Sequence, residues 1–239
     1  EVRSAVVESL AENLADGLVA PLGAFALGAG LAVGSVFAGA AADPALAGAP
    51  LAPALGAAGA AWVKAVNTMD SMLGYRSKPV GWAPARLDDA VMWVPARATA
   101  GLLAVACLAP AAPLGARRWL ADVPSPNSGW PMGTVAVALG VRLVKPGAYD
   151  IDPGADSGVD PARAADGGTG GVARSGGDVR SSGDARPSDD ARPDHDSPDA
   201  LPTVADARRA VRRVAVAGVL AYVVAGLVTL GPPGVVTWV

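Results

Sequence analysis

The chain is poor in the residues that most often carry chemistry: one cysteine, one histidine and three lysines among 239 residues. A single thiol, Cys107, closes no internal disulfide and completes no zinc ligand set, so within its apolar run it reads as a small buried hydrophobe. His195 falls in an Asp- and Gly-rich stretch that cannot hold a side chain in catalytic or metal-binding geometry. There is no GxxxxGK[ST] phosphate loop and no GxGxxG dinucleotide loop. Any reaction must therefore rest on carboxylates, Arg, Lys, Asn and a bound metal. Aromatic residues make up only 5% while hydrophobic residues make up 51%, a balance that suits closely packed helices better than a β-sandwich. No polybasic run of the nucleic-acid-binding type occurs. The net charge of −3 is unevenly spread, because residues 151–200 hold eleven Asp and five Arg and leave the rest mildly basic.

Long uncharged runs are what the chain does have. Residues 17–42 carry no charge, and a helix needs about 20 apolar residues to cross a bilayer core. Residues 98–116 and 214–230 make two more candidate spans. The last follows Arg208, Arg209, Arg212 and Arg213, which read as a juxtamembrane anchor. Residues 51–66 either span, re-enter or lie between helices, and residues 130–144 suit a packed helix or half-helix. The predicted fold class is all-α: a polytopic integral membrane helical protein with a disordered polar insert before the last transmembrane helix. The predicted domains are a membrane domain over 1–150, an insert over 151–205 too poor in large apolar side chains to order itself, and a C-terminal helix over 206–239. The chain begins at Glu1, in what reads as mid-domain, so an N-terminally shortened chain is expected.

Four polar clusters interrupt this apolar background. Ionisable groups at membrane depth are disfavoured by roughly 2.5–3.5 kcal/mol each, so they are functional candidates by default. Glu8, Glu12 and Asp16 recur every fourth residue, beside Ser9 and Asn13, and put three acids on one helical stripe. Such a stripe calls for a metal, an Arg or Lys, or a substrate amine; the alternative is an exposed acidic face. Lys64, Asn67, Asp70 or Ser71, and Gly74 share a second face, which a solvated amphipathic helix explains equally. Arg86, Asp89, Trp93 and Arg97 form a third stripe, with Asp88 alongside and Pro95 predicted to kink it. Arg and paired Asp can hold Mg²⁺ and a phosphate, or simply each other. The fourth cluster, PSPNSGWP over 124–131, specifies a rigid turn around Asn127 at a helix start.

Taken together, ESLAENLADGLVAPL (8–22), VNTMDSMLGYRS (66–77), ARLDDAVMWVPAR (85–97) and SPNSGWPMGTVAVALGVRL (125–143) resemble the CobD/CbiB family of cobalamin-biosynthesis membrane proteins. The resemblance continues weakly to Lys145, Pro146 and Tyr149 and covers about residues 5–150. It implies a multi-pass cell-membrane ligase that joins (R)-1-aminopropan-2-ol, its O-phosphate or an ethanolamine counterpart to the free propionate carboxylate of adenosylcobyric acid. ATP and Mg²⁺ are the implied cofactors, through an acyl phosphate. The implied partners are the corrinoid, the amino-alcohol phosphate, the lipid bilayer and other late enzymes of the pathway, with no nucleic acid.

On that reading Asp88 and Asp89, with Asp70, are candidate Mg²⁺-nucleotide ligands, and Arg86, Arg97 and Lys64 are candidate phosphate contacts. Glu8, Glu12 and Asp16 would bind the substrate ammonium, one of them removing its proton. Asn13, Asn67 and Asn127 would bind corrin amides. The chain departs from the family at Met132, where many relatives carry Glu, at Val137, where Gly is common, and in the insert. Family members start further upstream, with additional hydrophobic helices. The competing class is a non-catalytic scaffold or transporter component, since intramembrane acids and broken helices suit transport too.

Overall fold

The computed structural model describes residues 2–37, 51–74, 79–154 and 201–230. The observed order is α1 (Val2–Asn13), a π-helical segment (Leu14–Val19), α2 (Ala20–Phe37), α3 (Leu51–Leu73), α4 (Pro79–Val91), α5 (Trp93–Cys107), α6 (Ala112–Ala116), a 3₁₀ turn (Arg117–Trp119), α7 (Pro126–Leu139), β1 (Leu143–Lys145), β2 (Tyr149–Ile151) and α8 (Val204–Leu230). The architecture is mostly helical, as the composition predicted. The departure is the small antiparallel hairpin β1–β2, which pairs Leu143 with Ile151 and Lys145 with Tyr149. The sequence hid it because each strand has only three residues.

Among the described residues, two helical stretches are long and apolar enough to cross a membrane: Val2–Ala32 and Val204–Thr229. A third exists if the bent pair Val80–Val91 and Trp93–Cys107 counts as one span. The chain is therefore a membrane protein by the length and composition of its helices. The first span takes in the acidic stripe, because α1 runs through the π-helical segment into α2 without a break. The predicted span over 98–116 is corrected. Its helix begins at Trp93 and ends at Cys107, where Leu108 turns left-handed at φ 57°, and Pro110 and Pro113 then oppose regular continuation. The 45° bend at Met92 falls where the missing N–H of Pro95 leaves the Val91 carbonyl without its helical donor.

The undecided segment 51–66 belongs to α3, which packs along α2. Their backbones approach closely: a Cβ on Gly28 would lie 2.6 Å from the Leu55 carbonyl oxygen, and one on Gly59 2.9 Å from that of Ala24. The main core joins Val7, Ala11 and Leu14 of the first span to Leu103, Met132, Val135, Leu143, Ile151 and Ala217. A smaller cluster of Ala15, Ala20, Val63 and Met92 packs α3 and the α4–α5 bend against the first span.

The predicted insert over 151–205 is corrected at both edges. Ile151 ends β2 fully buried. Thr203 opens α8 as a capping box: the Asp206 backbone N–H donates to Thr203 Oγ1 at 3.2 Å, while Asp206 Oδ2 accepts from the Thr203 N–H at 2.9 Å. Residues 155–200, including His195, lie outside the described residues, as do residues 38–50, residues 75–78 of the second motif, and 231–239.

Candidate functional site

Three of the four clusters, together with the turn before α7, meet at one cleft of about 480 Å³. Its charged lining comprises Glu8 and Glu12 from α1, Asp16 from the π-helical segment, Asp70 from α3, Asp88 and Asp89 from α4, and Lys145 from β1. Asn67, Ser71, Ser125, Asn127, Ser128 and Tyr149 add polar groups, and Ala15, Ala85, Met92 and Met132 form an apolar floor. Among the described residues, six carboxylates thus face one cation.

The local fold explains each placement. Glu8 and Glu12 are one α-turn apart on α1, and the wider π turn carries the stripe on to Asp16. Such turns recur at functional sites. On α3, Gly74 leaves room for Asp70: a Cβ there would collide with the Asp70 carboxyl group. The bend at Met92 swings α5 away and leaves Asp88 and Asp89 on the last turn of α4, at the cleft. Asn127, 8% exposed at the start of α7, donates an amide hydrogen to the Asp89 carbonyl at 2.8 Å and so fixes the α4 end against α7.

The acids are partly compensated. Lys145 Nζ donates to Glu8 Oε1 at 2.9 Å, with the Glu8 side chain 9% and the Lys145 side chain 57% exposed. That hydrogen bond holds the Lys145 ammonium above its ordinary pKa range. Asn67 donates to Asp16 Oδ2 at 3.5 Å and accepts from Lys64 Nζ at 3.3 Å, which forms a short polar chain across α3. Asp16 Oδ1 and Asp88 Oδ1 are buried with no hydrogen-bond partner. Burial, then the hydrogen-bonding approach of the phenol to Glu8 and the negative charge of Glu8 and Glu12, push the Tyr149 phenol above its usual range.

Of the predicted site residues, Glu8, Glu12, Asp16, Asn67, Asp70, Asp88, Asp89 and Asn127 come together, and Lys64, Arg86, Arg97 and Asn13 do not line the cleft. Arg97 lies 4.1 Å from the Trp93 ring centroid and 5.2 Å from that of Trp130, and donates to the Trp93 carbonyl at 2.7 Å. Arg86 stands 6.0 Å over Trp82. These cation–π arrangements hold both guanidinium groups elsewhere. Asn13 binds back to Ser9, one turn earlier. Lys64 reaches the cleft only through Asn67. The cation that is present, Lys145, and its strand neighbour Tyr149 were visible in the sequence only as a weak tail of the resemblance. Among the described residues, no group of three or more His, Cys, Asp or Glu stands in metal-holding geometry.

A bent-helix membrane protein with a cleft built from helix-borne acids is the class this arrangement defines. The CobD/Cbib protein family matches residues 1–166. Similar curated proteins include the probable cobalamin biosynthesis protein CobD of Methanothrix thermoacetophila, 41% identical over 67% of this chain and 45% of its own length. The Methanothermobacter thermautotrophicus counterpart is 36% identical over 64% of this chain and 46% of its length. The cobalamin biosynthesis protein CobD of Rhodobacter capsulatus is 40% identical over 62% of this chain and 40% of its length. The chain belongs to the CobD/CbiB family of cobalamin biosynthesis proteins. It spans less than half the length of these relatives. No solved structure matches.

Proposed function

We propose that the cleft is the amine and nucleotide site of an acid–amine ligase. It joins (R)-1-aminopropan-2-ol, its O-phosphate or an ethanolamine counterpart to the free propionate of adenosylcobyric acid, giving adenosylcobinamide or its phosphate. The supporting observation is the meeting of six carboxylates and one lysine, drawn from separate family-like segments, at a single cleft. A negative cleft attracts an ammonium and focuses its approach. Glu8 is engaged by Lys145 and Asp16 by Asn67, so Glu12 is the candidate base. It removes one proton from the bound ammonium, which frees the lone pair for attack, and the second nitrogen proton passes to the departing leaving group or to water as the C–N bond forms.

ATP with Mg²⁺, when bound, would supply the activation of the carboxylate. The donor set fits that pair. Mg²⁺ commonly takes one or two carboxylates and completes its shell with water and phosphate oxygens. Asp88 Oδ1 is buried without a hydrogen-bond partner and Asp89 lies beside it on α4, so this pair of carboxylates would hold the ion, with Asp70 in the same cleft and water and phosphate oxygens completing the shell. Asn67 and Asn127 remain candidate contacts for corrin amides, although one Asn127 amide hydrogen already serves Asp89.

The test is reconstitution of the detergent-solubilised chain in the cell-membrane lipids of its host. Adenosylcobyric acid, aminopropanol phosphate, ATP and Mg²⁺ are supplied, and cobinamide phosphate is sought by mass spectrometry. An ATP-dependent product is expected. Asp88→Ala and Asp89→Ala should each lower the rate by at least about 10- to 100-fold, the loss that carboxylates one step removed from a metal produce. Full activity in both variants sinks the metal assignment. No product at all favours a scaffold or transporter component.

A further inference from the structure

We infer that the groove between α2, α5 and α8 seats one acyl chain of an anionic phospholipid, whose phosphate is taken by Arg213 at the end of the groove. This site shares no lining residue with the acidic cleft, so it stands or falls without the ligase reading.

The groove is an unfilled gap of about 420 Å³. Its walls include Gly23 and Leu27 of α2, Gly101 and Val105 of α5, and Ala221 and Val228 of α8. Missing side chains create it: a Cβ on Gly23 or on Gly101 would meet nothing within 4 Å. Walls that face a void forfeit dispersion contacts. The rim residues Leu27, Val105 and Val228 are 65%, 61% and 50% exposed, so the gap opens sideways, toward hydrocarbon in a bilayer.

Size selects a slender occupant. A dry apolar cavity of about 150 Å³ takes the six carbons of benzene, so the groove has room for roughly 15 carbons. A helix about 10 Å across would need roughly 900 Å³ along residues 98–105, about twice what the groove offers.

Charge at one end selects an anionic headgroup. An Arg213 N–H donates to the Ala106 carbonyl at 2.8 Å, next to Val105 of the groove wall. On α8, Arg213, Ala217, Ala221 and Ala225 recur every fourth residue on one face, which puts the cation about two turns from the groove's Ala221. A guanidinium has five N–H donors, and the remaining ones suit phosphate oxygens. The carbonyl is neutral and leaves the positive charge uncancelled. Neighbouring side chains do not cancel it either. Arg208, Arg209 and Arg212 precede it, and Asp206 is bonded to Arg209 and Thr203. Glu8 and Glu12 of α1, which packs on α8, line the cleft with Lys145 instead. An Arg cluster at the start of an uncharged run also lies where headgroups lie.

The experiment is native mass spectrometry of the detergent-released full chain, titrated with dioleoyl phosphatidylglycerol or dioleoyl phosphatidylcholine, which share their acyl chains. The wild-type chain is expected to hold one phosphatidylglycerol about 10-fold more tightly than phosphatidylcholine, the scale of a hydrogen bond to a charged group. Excess inorganic phosphate should not displace it. Arg213→Gln should remove most of the preference. Arg208→Gln takes the same charge from another face of α8 and should remove much less. Gly101→Leu, whose side chain enters the open groove, should weaken both lipids several-fold. Equal wild-type binding of the two lipids, displacement by inorganic phosphate, equal losses from the two Arg variants, or full binding by Gly101→Leu would each overturn the inference. A wild-type dimer that Gly101→Leu converts to monomer would overturn it as well, because a second copy then fills the groove. The wild-type comparison decides even where a variant fails to fold.

Discussion

Asn127 illustrates how a residue chosen for one job serves another. Its position in a Pro-flanked turn made it a candidate for corrin amides, yet in the fold it donates to the Asp89 carbonyl across 38 residues of chain. Replacing it with Ala leaves a buried carbonyl short of its donor, which destabilises by about 1–3 kcal/mol. Asn127→Ala is therefore expected to lower the detergent-state melting temperature and to reduce ligation, because the end of α4 loses its anchor. Asn127→Ser, which keeps a donor, should recover part of both. An unchanged melting temperature would show that α4 is held by other means. At this scale the acids were legible in the sequence because charge in an apolar chain is conspicuous. Ser4 was not, since its value comes from a hairpin 140 residues away. Lys145 was equally inconspicuous, one lysine after a helix, until the hairpin register set it beside Glu8.

Elements were legible where one local rule governs them and illegible where two compete. Pro95 announced the bend at Met92. The 98–116 run read as one span because it is uniformly apolar, but hydropathy carries no information on the left-handed turn at Leu108 that ends the helix. The acidic stripe was read at even four-residue spacing, and the π turn at Leu14–Val19 could not be read from composition. The α2–α3 pairing was likewise visible only as small-residue content, and its tightness sets a sharp prediction. A Cβ on Gly28 meets the Leu55 carbonyl oxygen at 2.6 Å, whereas one on Gly23 meets nothing within 4 Å. Both are interior helix positions, so Gly→Ala should gain roughly the same intrinsic helix propensity, about 1 kcal/mol. Gly23→Ala should raise or preserve the melting temperature, and Gly28→Ala should lower it, because backbone has to separate from backbone. Equal effects from the two substitutions would show that α2 and α3 do not pack this closely.

The whole molecule makes sense only with lipid as part of its surroundings. Of the apolar windows in the two spans, 28% and 17% of residues are buried within the protein. Leu27 and Leu31 on α2 and Val219, Val223 and Leu227 on α8 are all more than half exposed. In water that surface would drive aggregation, while in hydrocarbon it meets its own kind. The cleft sits toward the other end of the first span, where α1 carries its acids and the hairpin closes against it. The membrane character was legible from run lengths alone, but the site was not, because its walls come from five separated stretches that only tertiary packing unites. The consequence is testable on the intact chain. It should stay in the membrane pellet through an alkaline carbonate wash and leave only with detergent. An Asp in the middle of a span is disfavoured by roughly 2.5–3.5 kcal/mol, so the Val219→Asp, Val223→Asp pair should shift much of the chain into the carbonate supernatant or into aggregates. Arg208→Gln, which alters charge before the apolar run and not within it, should leave the pellet fraction unchanged. Wild-type chain in the carbonate supernatant would mean that these helices pack against protein instead of lipid, and the cleft would then open to water rather than to the membrane surface.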